Sequence, residues 1–138
     1  MANYFYDDDE KESIKETLLT GRAKAWAESF IKPKFPKDRK LTSAQLRRFH
    51  VEAKALEERV KNLEDVKRDF PKIRPLIKML KSKVAYACPI TGSDRKVPEE
   101  FRKYIEEMVD NINDEKDFKA FALCFESVVG FFYGQGGR

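Results

Sequence analysis

The chain has 138 residues, with 28 Lys and Arg against 24 Asp and Glu, and it contains two Cys and one His. This length is sufficient for one helical domain spanning residues 1–138, and no apolar run is long enough to cross a membrane. So few Cys and His cannot supply the ligands of a zinc site, and we expect neither metal nor cofactor. Since no Gly-rich phosphate loop or catalytic motif is present, the sequence does not indicate an enzyme.

The charge is distributed unevenly along the chain. Residues 32–83 contain 17 basic and 7 acidic residues, whereas the segments on either side each carry a net negative charge. Because Lys and Arg side chains that neutralise phosphates release counterions, a cationic middle segment is compatible with a polyanionic partner. The alternative is that the extra charge only solvates long helices. The two separated thiols, without a secretory leader, are expected to be reduced in a cytoplasmic protein.

The first third of the chain predicts an arm, a helix and a basic connection. Residues 1–11 mix aromatic and acidic side chains, and we expect a flexible N-terminal arm. The first helix is predicted from about Glu12 to Ile31, with Gly21 as the point where it can bend. Two prolines and five basic residues between Lys32 and Lys40 predict a short non-helical connection, which is either a solvated linker or a phosphate-contacting loop.

A long central helix is predicted from about residue 42 to residue 69. Thr42 and Gln45 have the spacing of a capping box, and apolar residues recur at three- and four-residue intervals over the whole stretch. Pro71 is expected to end this helix because proline disfavours helical backbone in the residue before it. The other helices are expected to pack against this one.

The remainder of the chain predicts three further helices. The third begins near Arg74 and ends near Ala87, and it is followed by a turn-rich loop from Pro89 to Lys96. The fourth begins at Pro98, and the fifth runs from Glu115 to Tyr133, with residues 134–138 as a tail. No segment alternates with the two-residue period of a strand, so the fold class is all-α, a compact bundle of about five helices.

Two regions of the predicted helices are candidates for phosphate contacts. Arg47 and Arg48 lie near the start of the central helix, where free backbone N–H groups favour anions. No acidic residue occurs from Lys72 to Lys83, so pairing within that helix cannot neutralise its charge. Tyr86 can stack on a base or a sugar, although a packed Tyr is the simpler expectation. The proposed RNA contacts are Arg47, Arg48, Lys54, Lys78, Lys81, Lys83 and Arg95.

Three sequence motifs occur in an order and spacing that resemble a known family. They are LTSAQLRRFH at residues 41–50, KSKVAYA at residues 81–87 and FKAFALCFESVVGF at residues 118–131. In an all-α chain of this size, they resemble the small subunit of type III-A (Csm) CRISPR–Cas effector complexes. The family pattern places a basic residue soon after the Tyr-Ala pair. Here residues 88–94 intervene, and Arg95 and Lys96 are the two candidates for that position.

The resemblance implies a small helical protein without catalytic activity of its own. Several copies stack head to tail beside repeated RNA-binding subunits, and together they hold the guide RNA and the paired target RNA. The small subunit contacts the sugar-phosphate backbone of the target strand without reading its sequence, and Arg47 is the residue that the motif supports most directly. In the family, RNA and DNA cleavage belong to other subunits.

Two other functions are compatible with the residues alone. A scaffold protein could use its basic surface to contact acidic neighbouring subunits, or pair its acidic flanks with the basic middle segment of the next copy. A helical transcription regulator is also conceivable, because many DNA-binding motifs are helical, but no helix-turn-helix signal is present. RNA crosslinking separates the first alternative from RNA binding, and a sequence-specific shift of duplex DNA separates the second.

Overall fold

A computed structural model describes residues 3–35, 38–90 and 95–138. Lys37 of the basic connection and residues 91–94 of the predicted turn-rich loop lie outside the described residues. The helices in chain order are α1 (Glu16–Leu19), α2 (Gly21–Ile31), α3 (Ser43–Lys61), α4 (Val66–Lys78), α5 (Leu80–Ala87), α6 (Glu99–Asp110) and α7 (Glu115–Gly134). In the same residues, one isolated antiparallel bridge joins Tyr6 and Ile14.

The all-α class predicted from the sequence is confirmed. Helices α1 and α2 are separated only at Thr20, beside the predicted bend at Gly21, and α4 and α5 are separated only at Met79. When each of these pairs is taken as one unit, the bundle has about five helical units, as the apolar periodicity predicts.

The predicted central helix is shorter than expected. Helix α3 begins after the Thr42 cap, whose hydroxyl accepts from the backbone N–H of Gln45 at 3.2 Å, but it ends at Lys61. Asp65 then caps a new helix by accepting from the backbone N–H of Arg68 at 3.1 Å. A side chain that satisfies free N–H groups favours a helix start, and here that local preference interrupts the continuous apolar pattern.

Helix α4 passes through the proline that was expected to stop it. Pro71 and Pro75 both lie inside α4, and both are exposed. Each removes one backbone hydrogen bond, an effect that costs about 3 kcal/mol or more in a helix interior. Phe70, Ile73 and Ile77 are buried on the other side of α4, and their packing offsets this cost.

Helix α7, rather than α3, occupies the centre of the bundle. It packs against α1, α2, α3 and α4, and eight of its residues are buried. Its start is fixed by a capping box between Asp114 and Asp117. The aromatic rings of Phe121 and Phe125 stack with centroids 5.7 Å apart, and Phe125 also contacts Tyr104 of α6. Each fully buried large apolar side chain contributes about 1.5–3 kcal/mol, so these rings dominate the core.

The segment predicted to be a loose N-terminal arm is instead packed on the bundle. Phe5 and Tyr6 are only 1% and 3% exposed. The Tyr6 hydroxyl donates to the backbone carbonyl of Lys116 at 2.5 Å, and Lys11 Nζ lies 2.7 Å from Asp114 and 3.0 Å from Asp117. The expectation was wrong because it gave more weight to the acidic run than to Phe5 and Tyr6, which are buried in the core.

Candidate nucleic-acid interface

The first turns of α3 present two exposed arginines. Arg47 and Arg48 are both exposed, and within the described part of the chain neither forms a salt bridge. Consecutive residues of a helix point about 100° apart. Leu46 and Phe49 turn towards the core, which directs Arg47 and Arg48 to solvent on adjacent faces of α3. These two guanidinium groups are therefore available to an external anion.

A surface groove of about 430 Å³ separates α3 from α5. Its basic lining residues are Arg48 of α3, Lys83 of α5 and Lys96, which follows the loop after α5. Among the described residues, Glu52 is the one acidic side chain in the lining, and its Oε2 atom lies 2.8 Å from Lys83 Nζ. The groove consequently carries an excess of positive charge, which favours an anionic ligand.

Tyr86 on α5 lines the groove and is highly exposed to solvent. Its side chain is 81% exposed, so the expectation of a packed Tyr was wrong. The buried face of α5 is formed by Leu80, Val84 and Ala87, and Tyr86 lies two positions after Val84, which turns it away from the core. Lys96 Nζ lies 5.8 Å from the centre of the Tyr86 ring, within cation–π distance.

Two lysines of the acid-free segment are held by the end of α6. Lys78 Nζ donates to the backbone carbonyl of Val109 at 2.6 Å, and Lys81 Nζ lies 2.5 Å from Asp110 Oδ1. Cations near a helix C-terminus also interact favourably with its dipole. Burial lowers the pKa of Lys78, whereas the hydrogen bond that Lys81 donates to Asp110 raises the pKa of Lys81. Lys78 and Lys81 thus have hydrogen-bond partners at the end of α6, although their own helices contain no acidic partner for them.

Lys54 lies on the side of α3 that faces α7. Its Nζ atom is 3.1 Å from Glu126 and 3.6 Å from Glu57, and His50 Nε2 lies 2.9 Å from the same Glu126 oxygen. The hydrogen bonds from His50 and Lys54 hold the pKa of Glu126 below its usual value. Lys54 is about half exposed, but it does not line the groove.

Arg95 serves as an internal clamp. Its guanidinium donates to Asp38 at 3.0 Å and to the backbone carbonyls of Pro89 and Ile90 at 3.0 and 3.2 Å. The Asp38 side chain is 5% exposed and also accepts from the backbone N–H of Glu99, the first residue of α6. Arg95 therefore ties the basic connection before α3 to the segments around α5 and α6.

The structure brings together some of the seven predicted residues and separates the others. Arg48 and Lys83 share one groove, and Arg47 lies beside it on the same turns of α3. Lys54 faces α7, Lys78 and Lys81 face the end of α6, and Arg95 is engaged in the clamp. The sequence did not predict that Tyr86 and Lys96 lie close together, because this proximity depends on the tertiary fold and not on local periodicity. A basic residue near the Tyr-Ala pair was nevertheless expected.

The described residues show no group of three or more His, Cys, Asp or Glu side chains placed to hold a metal ion. Cys88 and Cys124 are both free and buried. Across the same described residues, no helix combines the length and the apolar character that crossing a bilayer requires.

The fold and the groove define a small all-α protein with a cationic surface. Residues 13–137, nearly the whole chain, match the family described as Csm2 Type III-A. The chain belongs to this family, the small subunit of the type III-A Csm CRISPR effector complex. No curated protein and no solved structure matches it.

Proposed function

We propose that this small subunit contacts the phosphate backbone of the target RNA paired with the guide RNA, without catalysing any reaction. The observation that carries the proposal is the groove between α3 and α5, where Arg48, Lys83 and Lys96 line one surface together with the acidic Glu52. A cationic groove of this kind attracts the sugar-phosphate chain and releases its counterions on binding.

The groove favours backbone contact over base readout. Its cations are surface side chains of α3, of α5 and of the segment before α6, and side chains of this type contact phosphates irrespective of the base sequence. A paired A-form RNA also hides its base edges in a major groove too narrow for side chains. The guide RNA supplies sequence recognition through base pairing, so the small subunit needs only to hold the duplex.

The structure supports different roles for the seven predicted residues. Arg47, Arg48 and Lys83, together with Lys96, are the primary candidates for phosphate contacts. Lys54 and Lys81 are about half exposed, and exposed ion pairs contribute only about 0–1 kcal/mol, so each could exchange its carboxylate for a phosphate. Lys78 and Arg95 donate to backbone carbonyls and are assigned to holding the fold.

The same proposal includes assembly with neighbouring subunits and with further copies of this chain, head to tail. Exposed apolar side chains on α7 support such contacts, because Leu123 is 40% exposed and Tyr133 is 45% exposed. Phe131, also on α7, is only partly buried. Subunit contacts on α7 would leave the groove between α3 and α5 open to RNA.

Photocrosslinking in the assembled complex tests the RNA contact. The target RNA carries 4-thiouridine at successive positions, and crosslinked peptides of the small subunit are identified by mass spectrometry. We expect crosslinks in peptides from the first half of α3 and from α5. Crosslinks confined to other subunits would contradict the proposal and favour the protein scaffold. A complex carrying only the guide RNA provides the control for crosslinks that do not depend on the target.

A further inference from the structure

Tyr86 combines exposure with a position that plain phosphate binding does not require. A single exposed aromatic side chain is common on protein surfaces and would carry no inference alone. Tyr86, however, lines the cationic groove and is 81% exposed. Among the described residues, it is the most exposed large apolar side chain. A phosphate contact by Tyr86 would use only its hydroxyl, so the exposed ring is left for a second kind of contact.

The geometry points to a nucleotide subsite in which an unpaired base stacks on the Tyr86 ring while its phosphates contact Arg48 and Lys96. This inference rests on the proposed RNA contact and adds a base-stacking platform to it. The ligand is a nucleotide of single-stranded RNA or one displaced from the duplex, because a base inside a duplex has both faces covered. Stacking uses the flat face that every base possesses, so the subsite accepts any base.

The positions of the cations fit this ligand. Lys96 Nζ lies over the ring at 5.8 Å from its centre, and Tyr86 is 81% exposed, so ring surface remains accessible to a base. Arg48 and Lys83 line the same groove, so phosphates on either side of a stacked base have cations within the same surface. The groove volume of about 430 Å³ lies within the range of about 300–1,000 Å³ that is typical of small-ligand sites.

Glu52 and Ser82 complete the lining in a way that agrees with a base as the ligand. Glu52 is paired with Lys83 and so does not face the ligand as an isolated negative charge. The Ser82 hydroxyl donates to the backbone carbonyl of Met79 at 2.9 Å, and its oxygen lone pairs remain available to a sugar or base donor. Phe49 and Ala87, which are both largely buried, supply apolar surface to the groove lining.

Target-RNA affinity of the assembled complex tests the stacking platform with two variants of one residue. Tyr86→Phe keeps the ring and is expected to bind within about twofold of the original protein. Tyr86→Ala removes the ring and is expected to weaken binding about 5- to 150-fold for each base that stacks on it. Because Tyr86 is so exposed, neither variant should change the thermal unfolding temperature, which is measured as the folding control.

A set of target RNAs, each with one abasic nucleotide, identifies the stacked base. At the stacking position, loss of the base should weaken binding to the original protein and leave binding to Tyr86→Ala unchanged. Equal affinity of Tyr86→Ala and the original protein would overturn the inference. It would also fail if Tyr86→Phe lost as much affinity as Tyr86→Ala, or if no abasic position reproduced the loss. Arg48→Ala separates the two proposals, because it should still flatten the salt dependence where backbone contact alone is correct.

Discussion

Lys83 Nζ lies 2.8 Å from Glu52 Oε2, and this ion pair forms a wall shared by two surface grooves. On one side is the cationic groove with Tyr86. On the other is a smaller groove of about 270 Å³, whose lining includes Leu56, Leu76 and Met79 as well as Arg59. Glu52 thus neutralises Lys83, which would otherwise be free to contact a phosphate.

Replacing Glu52 with Gln should strengthen RNA binding. The change frees Lys83 without altering the shape of the side chain, so the lysine can make a full phosphate contact. We expect tighter binding of target RNA and a log K against log[salt] slope that is steeper by up to ~0.7 per small subunit. Stability should change by less than about 1 kcal/mol, because both side chains of the pair are more than 40% exposed.

The matched control for Glu52→Gln is Glu58→Gln on the exposed surface of α3, which does not line the cationic groove. It removes the same charge from the same helix and should leave the slope nearly unchanged. Weaker RNA binding by Glu52→Gln, or an equal gain in both variants, would contradict the assignment of this groove.

Arg95 and Lys96 are neighbours in sequence with different expected effects. Arg95→Ala leaves the buried Asp38 carboxylate without its guanidinium partner, and we expect the free energy of unfolding to fall by about 1–3 kcal/mol. Lys96→Ala should alter stability by less than about 0.5 kcal/mol but flatten the salt dependence of RNA binding by ~0.7. Denaturant unfolding and RNA titration measure the two quantities. If the two variants exchanged these effects, Arg95 rather than Lys96 would be the RNA contact.

The packed N-terminal segment can be tested by its effect on stability. Phe5→Ala should lower the free energy of unfolding by about 3–5 kcal/mol, because it leaves a cavity where a ring that is 1% exposed had packed. Phe35→Ala is the control, since Phe35 is 49% exposed and its removal should cost far less. Equal losses in the two variants would mean that the segment does not pack on the bundle in solution.

The buried thiol of Cys124 predicts a loss of stability at alkaline pH. Burial raises the pKa of Cys124 from 9.0 to about 11. The folded protein therefore keeps the proton that the unfolded chain releases, so this contribution is complete below pH 9 and is lost as the pH rises towards 11. The unfolding free energy of the original protein, relative to Cys124→Ala, should fall by about 2 kcal/mol between pH 8 and pH 11.

Denaturant unfolding of both proteins under reducing conditions at several pH values provides this comparison. Lysines and tyrosines distant from Cys124 titrate alike in the two proteins, so their contributions cancel in the difference. Tyr104 lies 3.5 Å from Cys124, but burial is the main cause of its raised pKa and acts in both proteins. A difference that stayed constant over this pH range would contradict a buried, protonated Cys124.

The all-α class followed from patterns within single segments, and so did most helix starts. Thr42 and Asp114 both cap the helices predicted to follow them. The break at Asn62 to Asp65 did not follow, because Leu63 and Phe70 continue the apolar period across it. Pro71 was misleading for a related reason, since tertiary packing of α4 outweighs a local preference.

The site could be predicted only in part because charge in a sequence does not reveal its partner in space. Lys81 and Lys83 are two residues apart, yet one pairs with Asp110 and the other lines the groove with Arg48. Arg95 has the composition of a phosphate contact, but Asp38, far away in sequence, engages it. Such long-range partners depend on helix crossing, which local periodicity does not encode.

The salt dependence of target-RNA affinity in the assembled complex directly tests whether the first turns of α3 contact the RNA backbone. The double variant Arg47→Ala, Arg48→Ala should bind target RNA more weakly and flatten the log K against log[salt] slope by ~1.4 per small subunit, since each lost phosphate contact contributes ~0.7. The control variant Lys24→Ala, Lys119→Ala removes two exposed charges from α2 and α7, which do not line the groove, and should leave the slope nearly unchanged. An unchanged affinity and slope in the arginine variant, or equal changes in both, would mean that Arg47 and Arg48 do not contact the RNA backbone.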